Sequence, residues 1–476
     1  MRIYLEKIFL LIIISFLFNS ELIIAPLFHL KYNSQGSVLK YEKNHSTLGG
    51  WGFIAKYEFD KINIHLDFYN NRIYNINEKP LIFNNQQGLS WFKRVNPSNN
   101  PNDNTFDFDV TNLKVLYKIN NLNLFFGKFN THWGYGKSSL TLSNKSPSYP
   151  NFGFNFKLNE NTNFYYIHGF LKSNLIDSLS ANYYNQDIFN GARYPNINRY
   201  FAGHRIEFKP NRNFKLGINE IIIYGYRSLD IYYCLPFIPF WSIQHYLGDL
   251  DNLNISFDFQ YKLNSQNHLY GTIFIDEWNP SKTFSKNNSN WFGYQVGFNL
   301  SKLIFKNDNF IAEFNWTDHR IYRHRYEINN FYNHDYPVGF WGGPHSQEIY
   351  LNYSFFKKDF LLKIEYTDAK RGLLTEEMLI NQYTNNNDNF LRYGDFYEKI
   401  SNLELSIKKN IYRGLFLNCG INFINWKNAG FDNSGLNNTN LIDIKKESLF
   451  FGLSYNYDFE KQKSFIHENS YKFTLK

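Results

Sequence analysis

Leu253-Asn-Ile-Ser-Phe-Asp-Phe-Gln-Tyr-Lys-Leu263 carries an apolar residue at every second position. In an extended chain, Leu253, Ile255, Phe257, Phe259, Tyr261 and Leu263 share one face, because successive side chains of a strand point to opposite sides. Asn254, Ser256, Asp258, Gln260 and Lys262 share the other. One such segment fits any half-buried sheet. The alternation recurs along almost the whole chain, however. Ile62-Ile64-Leu66-Phe68, Phe152-Phe154-Phe156-Leu158, Leu269-Gly271-Ile273-Ile275, Leu415-Leu417-Cys419-Ile421-Phe423 and Leu449-Phe451-Leu453-Tyr455 are further examples. The opposite phase holds charges of both signs at mid-strand, among them Asp258, Lys262, Asp276, Glu313, Lys363 and Glu365. A soluble sandwich would set such residues on its surface, whereas a membrane barrel turns them into a watery, cross-braced lumen.

Composition separates the two. Of 476 residues, 20% are aromatic, with 37 Tyr and 49 Phe. Tyr and Trp suit the interfacial girdles of a barrel, where an apolar ring carries a wet polar end. A mean hydropathy of −0.48 excludes a protein of several long apolar helices, while a transmembrane barrel reads as polar on average because half of each strand faces water. Met1 to about Ala25 reads as an export leader, with Arg2 and Lys7 before the apolar run Ile8–Phe18. That run is too short to span a bilayer comfortably. The leader and the aromatic content together favour a large transmembrane antiparallel β-barrel, all-β, over residues 26–459. Residues 460–476 form a tail or a last strand.

Connections alternate in kind. Asp60-Lys61, Asn120-Asn121, Asn264–Asn267, Asn307-Asp308 and Lys357–Asp359 make short turns, as hairpins require. Asn75–Thr105, Ser173–Asn198, Tyr322–Pro344 and Gly372–Asp395 are long and polar. Short turns on one side and long loops on the other match an outer-membrane barrel of roughly 16 to 20 strands, with about 18 favoured. Gly452–Phe459 alternates and ends on an aromatic residue, like the closing strand that barrel-assembly machinery recognises.

The net charge of +8 arises from 50 Lys and Arg interspersed with 42 Asp and Glu, without a long basic tract; nucleic acid is not an expected partner. Cys234 and Cys419 have no metal-ligand spacing around them. Gly-x-Ser-x-Gly, His-Glu-x-x-His and phosphate-binding glycine loops are all missing, so no catalytic residue, metal or cofactor is assigned.

Gly127–Pro150 is the most distinctive stretch, with Gly127-Lys128, Trp133-Gly134-Tyr135-Gly136, Leu140-Thr-Leu-Ser-Asn144 and Tyr149-Pro150 in order. Glycines permit a bend, and Trp133 with Tyr135 offers flat faces for stacking a sugar or for a structural kink. The stretch resembles the Wzi-like capsule-assembly family of outer-membrane barrels. Arg199-Tyr-Phe-Ala-Gly-His-Arg205 and Tyr232-Tyr233 through Gly248-Asp-Leu-Asp-Asn252 extend the resemblance. It departs in lacking an N-terminal helical segment and in Lys145-Ser146, where Asn-Ala is more typical. The resemblance implies a monomeric barrel in a Gram-negative-type outer membrane that binds capsular or related surface polysaccharide and helps attach it to the cell.

Candidate glycan contacts follow from the phases. Arg205 and Glu207 fall on the inward row, either to hold a sugar carboxylate or hydroxyl or to brace the wall. Asp276 lies on an inward row, and Asp249 precedes a strand in a segment too small for a calcium loop. His319-Arg320 and Arg323-His-Arg325 concentrate positive charge that would draw an acidic glycan or lipopolysaccharide. Glu220 is anomalous, since it shares the lipid phase of Leu216, Ile218 and Ile222; a bulge or a position beyond the membrane would resolve it. Trp341-Gly-Gly-Pro344 reads as a turn with a girdle Trp. The alternative function is a porin or selective channel, and lumen occlusion discriminates the two.

Overall fold

A computed structural model of the chain describes residues 21–34, 45–74, 105–181, 195–283, 290–375, 377–378, 380, 392–394, 396–412, 414–431 and 441–456. The alternating segments become β1 (Glu21–Asn33), β2 (Ser46–Phe59), β3 (Ile62–Tyr74), β4 (Thr105–Ile119), β5 (Leu122–Phe129), β6 (Tyr149–Lys157) and β7 (Thr162–Ile176). They continue as β8 (Asn196–Phe208), β9 (Phe214–Gly225), β10 (Asn252–Lys262), β11 (His268–Glu277), β12 (Trp291–Ser301) and β13 (Asp308–Thr317). A two-residue hairpin, β14 (Tyr332–Asn333) and β15 (Tyr336–Pro337), interrupts the series. Then come β16 (Ser346–Lys357), β17 (Phe360–Gly372), β18 (Tyr397–Tyr412), β19 (Leu415–Ala429) and β20 (Ile442–Asn456). Each barrel strand pairs antiparallel with its neighbours in sequence, and β1 pairs with β20 from Leu27↔Asn456 to Asn33↔Phe450. The result is one closed sheet of 18 strands. Closure leaves no unpaired edge, which a sheet in hydrocarbon cannot tolerate.

The rows are inverted relative to a water-soluble sheet. On β10, Asn254, Ser256, Asp258 and Gln260 are buried, whereas Phe257 and Tyr261 are exposed. Polar groups face the interior and apolar groups face outward, the arrangement of an outer-membrane-type barrel. The expected short turns lie at one end, with Asp60, Asn120 and Lys358 in left-handed conformations that Asn and Asp adopt readily in hairpins. The described connections 130–148, 226–251 and 318–345 leave from the other end. Residues Glu21–Ala25, which the leader reading sets outside the barrel, pair with Glu58–Ile54 of β2. The expectation for residues 460–476 lies outside the described residues.

Among the described connections, 130–148 and 318–345 fold into the lumen and 226–251 folds over the outside. The β5–β6 connection, 130–148, folds into the lumen as a finger held by the bridge Trp133↔Leu142. Leu140 and Leu142 are buried there with Phe201 of β8, Phe274 of β11, and Ile321, Tyr322, Phe340 and Trp341 of the 318–345 connection. The same cluster continues to Ile400, Ile424 and Trp426 on β18 and β19, so it crosses the lumen. Protein fills the barrel at this level, which corrects the expectation of a water-lined interior. Trp341 is likewise no girdle residue: it is buried, and its indole N–H donates to Glu348 at 2.8 Å.

The β9–β10 connection, 226–251, folds back over the outside of the wall. Tyr233, Phe240 and Ile243 pack on outer-row residues Phe164, Tyr166, Ala202, Ile222 and Tyr224. The register of β9 with β8 and β10 runs unbroken past Glu220, so no bulge accounts for its outward carboxylate. Its carboxylate accepts the backbone N–H groups of Phe240 (2.9 Å) and Trp241 (2.8 Å), and lies 2.6 Å from His204 Nε2. A flap of the protein's own chain, containing the helix Phe240–Tyr246, covers the charge.

Candidate functional site

The residues expected to contact glycan divide into three places. Trp133 and Tyr135 sit in the finger inside the barrel, 6% and 9% exposed, so neither ring presents an open face. Tyr135 donates to Glu207 at 3.1 Å and lies beneath the Arg205 guanidinium, 5.5 Å from ring centre to Cζ. Arg205 makes a two-pronged contact with Asp258 (2.5 and 2.8 Å) and donates to Asn219 at 2.7 Å. Asn219 in turn donates to Asp258 and to Ser256. The guanidinium fork matches a carboxylate, and this pair ties β8 to β10 across β9. Arg205 and Glu207 thus brace the wall.

The finger docks on the opposite wall through its backbone. Lys137 and Ser138 donate their N–H groups to Glu313 (2.7 and 3.0 Å), while Gln295 donates to Ser138 O at 3.0 Å. Gly136 permits this approach: a Cβ there would lie 2.6 Å from both Gln295 Oε1 and Glu313 Oε2. The 318–345 connection rests on the finger in turn. Tyr322 donates its hydroxyl to Leu140 O at 2.5 Å, and Ser143 N–H donates to Val338 O at 2.8 Å.

His319 and Arg320 belong to that second connection and are buried, not displayed to an anionic ligand. Arg320 donates to Asp318 at 2.8 Å and to Asn290 O at 3.1 Å, and it stacks over Trp291. Burial pushes the His319 imidazole down to about 4 against the pull of Asp318. His345 is also pushed down to about 4, again chiefly by burial, with Arg392 adding repulsion and the Leu373 carbonyl opposing it. Both rings are therefore neutral when folded, while an unfolded imidazole ionises near 6.5. Their contribution to stability is present above pH 6.5 and is lost progressively as pH falls toward 4, when the unfolded chain binds the extra protons. Acidification over that window is expected to loosen the 318–345 connection. Limited proteolysis of the folded barrel would show cleavage in this connection rising as pH falls; equal protection at pH 7 and pH 4.5 would contradict it.

An open site exists elsewhere. A cavity of about 680 Å³ lies over the rim at β10 and β11, walled by the flap on one side and the β11–β12 connection on the other. It brings together Asp249, Asp276 and, from the expected basic cluster, His324 and Arg325, but not Trp133, Tyr135, Arg205, Glu207, His319 or Arg320. Trp241 and Trp278 stand on its two walls, 57% and 56% exposed. Between them lie Gln244, His245 and Glu277, with Arg325 reaching in from the 318–345 connection. Arg325 donates to Asp249 O at 2.6 Å, and His245 lies 3.7 Å from the Asp249 carboxylate. Asp276 and Asp251 are structural here. Asp276 accepts Tyr322 N–H (2.6 Å) and the Asn254 amide (3.1 Å). Asp251 accepts Arg227 twice and Tyr233 once. Asp249, Glu277 and His245 line the cavity with the two indoles, and Gln244, also in the lining, donates its amide to Asp251 O at 3.1 Å. The pattern suits a ring with an apolar face and hydroxyl edges.

Sequence reasoning missed Trp241, Trp278, Gln244, His245 and Glu277. A signal was present in the composition of 226–251. The other long connections are polar, but this one carries Leu235-Pro-Phe-Ile-Pro-Phe-Trp241.

A family model described as capsule assembly protein Wzi matches residues 40–441. No curated protein sequence matches the chain. Among solved structures, the chain is similar to Wzi of Escherichia coli, described as an outer-membrane protein involved in group 1 capsule assembly and a carbohydrate-binding β-barrel. Identity is 14%, coverage is 90% of this chain and 84% of that one, and the TM-score is 0.51. It is also similar to OccAB3 of Acinetobacter baumannii, at 12% identity over 92% of this chain and 98% of that one, with a TM-score of 0.44. For OccK8 (OprE) of Pseudomonas aeruginosa the identity is 10%, the coverages are 92% and 98%, and the TM-score is 0.45.

Proposed function

The chain belongs to the Wzi capsule assembly family, and from that membership we propose that it is an outer-membrane barrel that holds a surface polysaccharide at its rim groove and so supports attachment of the capsule. The observation that carries the placement is the pair of half-exposed indoles, Trp241 and Trp278, that line one cavity together with Asp249, Gln244, His245 and Glu277. Sugar rings offer apolar C–H faces to indoles, and their hydroxyls satisfy carboxylate and amide groups. The unspent charges are mainly acidic, so the groove favours neutral or amino sugars over uronic acids. Of the basic residues that suggested an acidic glycan, His319 and Arg320 are buried, while His324 and Arg325 line the groove beside its carboxylates.

Trp241→Ala and Trp278→Ala are each expected to weaken polysaccharide binding about tenfold, equivalent to ~1.4 kcal/mol. Titration of the refolded barrel with capsular polysaccharide from its own source checks this. Unchanged affinity in both variants would remove the groove from the function. A deletion strain that keeps its capsule attached would remove the assembly role itself.

The filled lumen supports binding over conduction. The reading assigns no catalytic step. It also takes the barrel as a monomer folded by the barrel-assembly machinery and set among lipopolysaccharide, with a leader removed ahead of β1.

A further inference from the structure

We propose that residues 231–238 of the flap are immersed in the outer leaflet, packed against the barrel with their far side in contact with lipid acyl chains, while Trp241 to Asp249 line the groove. The flap leaves the loop end of β9 and descends the outside of the wall. From Asn198 at the loop end of β8 to His204, where Pro236 and Phe240 pack, the strand runs roughly 20 Å at ~3.3 Å per residue, a descent of about 15 Å for a strand tilted ~40°. The outward apolar band of such barrels is itself only about 25 Å tall. Phe237 reaches farther along the wall, stacking on Phe164 at 4.9 Å beside Phe154. These are outer-row positions, in phase with Phe152 and Phe170.

Irregular backbone in hydrocarbon is tolerated only where protein satisfies its polar groups, and the outer wall does so here. Tyr166 donates its hydroxyl to Tyr233 O at 2.9 Å, while the Tyr224 hydroxyl accepts Asp230 N–H at 3.2 Å. His204 Nδ1 lies 3.2 Å from Pro236 O, and Glu220 takes the N–H groups of Phe240 and Trp241. Pro236 and Pro239 contribute no N–H at all. A loop in water needs none of these partners. An outer row bearing His204, Glu220, Tyr166 and Tyr224 among apolar neighbours is therefore explained by the flap it solvates.

The flap's other side is apolar. Ile231 and Phe237 are 70% and 68% exposed, and Leu235 and Ile238 are exposed beside them. This face continues the exposed outer row of the barrel, which includes Ile206, Ile218 and Phe257. Lipid is the occupant that such continuity selects.

The test uses spin labels on the full barrel in liposomes, with Cys234→Ser and Cys419→Ser removing the native thiols. Labels are introduced by Phe237→Cys and, separately, by Ile231→Cys. Ile273→Cys on the outer wall serves as the lipid control and Arg212→Cys in a short turn as the water control. Collision rates with oxygen and with a water-soluble nickel chelate give the environment. Both flap labels are expected to match Ile273→Cys, with oxygen favoured several-fold over nickel. Nickel access equal to Arg212→Cys at either position, or protection from both reagents, would overturn the proposal. Heat-modifiable migration on gels confirms that each variant has closed its barrel.

Discussion

Arg205→Ala is expected to lower the stability of the barrel by about 3–5 kcal/mol, the usual cost of leaving a buried partner charge uncompensated. The guanidinium is buried and spends its donors on Asp258 and Asn219 while lying over Tyr135. Its loss strands the Asp258 carboxylate, one of the most enclosed groups of the inner wall, beside Asn219 and Ser256. It also releases the tyrosine that steadies the finger. Urea unfolding of the refolded protein in micelles, followed by tryptophan emission, measures the loss. Arg205→Met combined with Asp258→Leu is expected to recover much of it, because removing both charges removes the unpaired one. A loss below about 1 kcal/mol for Arg205→Ala would mean that Asp258 is hydrated in the folded barrel and that the brace contributes little.

Excising the finger is expected to change conductance from none to stable steps. Phe129 and Tyr149 are paired across β5 and β6, so a two-residue turn can replace 130–148 without altering the sheet. The excision removes Leu140 and Leu142 from the cluster that crosses the lumen, along with the backbone contacts to Glu313 and Gln295. The 318–345 connection then loses the Leu140 carbonyl under Tyr322, the Ser143 N–H on Val338 and the Pro147 carbonyl on Asn333. Planar-bilayer recording on the intact and shortened barrels gives the comparison. Stable conductance in the intact protein would favour the channel alternative. A silent shortened barrel would show that other segments close the lumen.

The alternation in Leu253–Leu263 gave the two faces of a strand, because these are a local property of the chain, and its recurrence together with the leader and the aromatic content pointed to a barrel. The count of segments bounded the size at roughly 16 to 20 strands, and the structure has 18. Arg205 and Glu207 were legible as inward residues from the same local alternation. Their ligand was not, because whether an inward Arg meets a sugar or Asp258 depends on which strand lies two places away. Glu220 shows the converse. Its phase was read correctly as outward; the unbroken register of β9 with β8 and β10 rules out a bulge, and the flap covers the carboxylate. The flap that covers it comes from a connection whose direction no local pattern encodes.

The Gly127–Pro150 stretch marked the family and the place where the chain bends, but its role as a lumen finger depended on contacts with β8, β10, β13 and β16. Trp133 and Tyr135 looked like a platform in sequence, and burial made them part of a core. Strand identity, facing and the short-turn end were determined by the sequence alone, since each rests on neighbours within a few residues. The tertiary structure alone decided where the long connections go, 130–148 and 318–345 inward and 226–251 outward. It thereby decided that the open aromatic groove lies at the rim between Trp241 and Trp278. That choice is set by which wall can satisfy a connection's backbone and bury its apolar side, a condition spread over strands far apart in the chain.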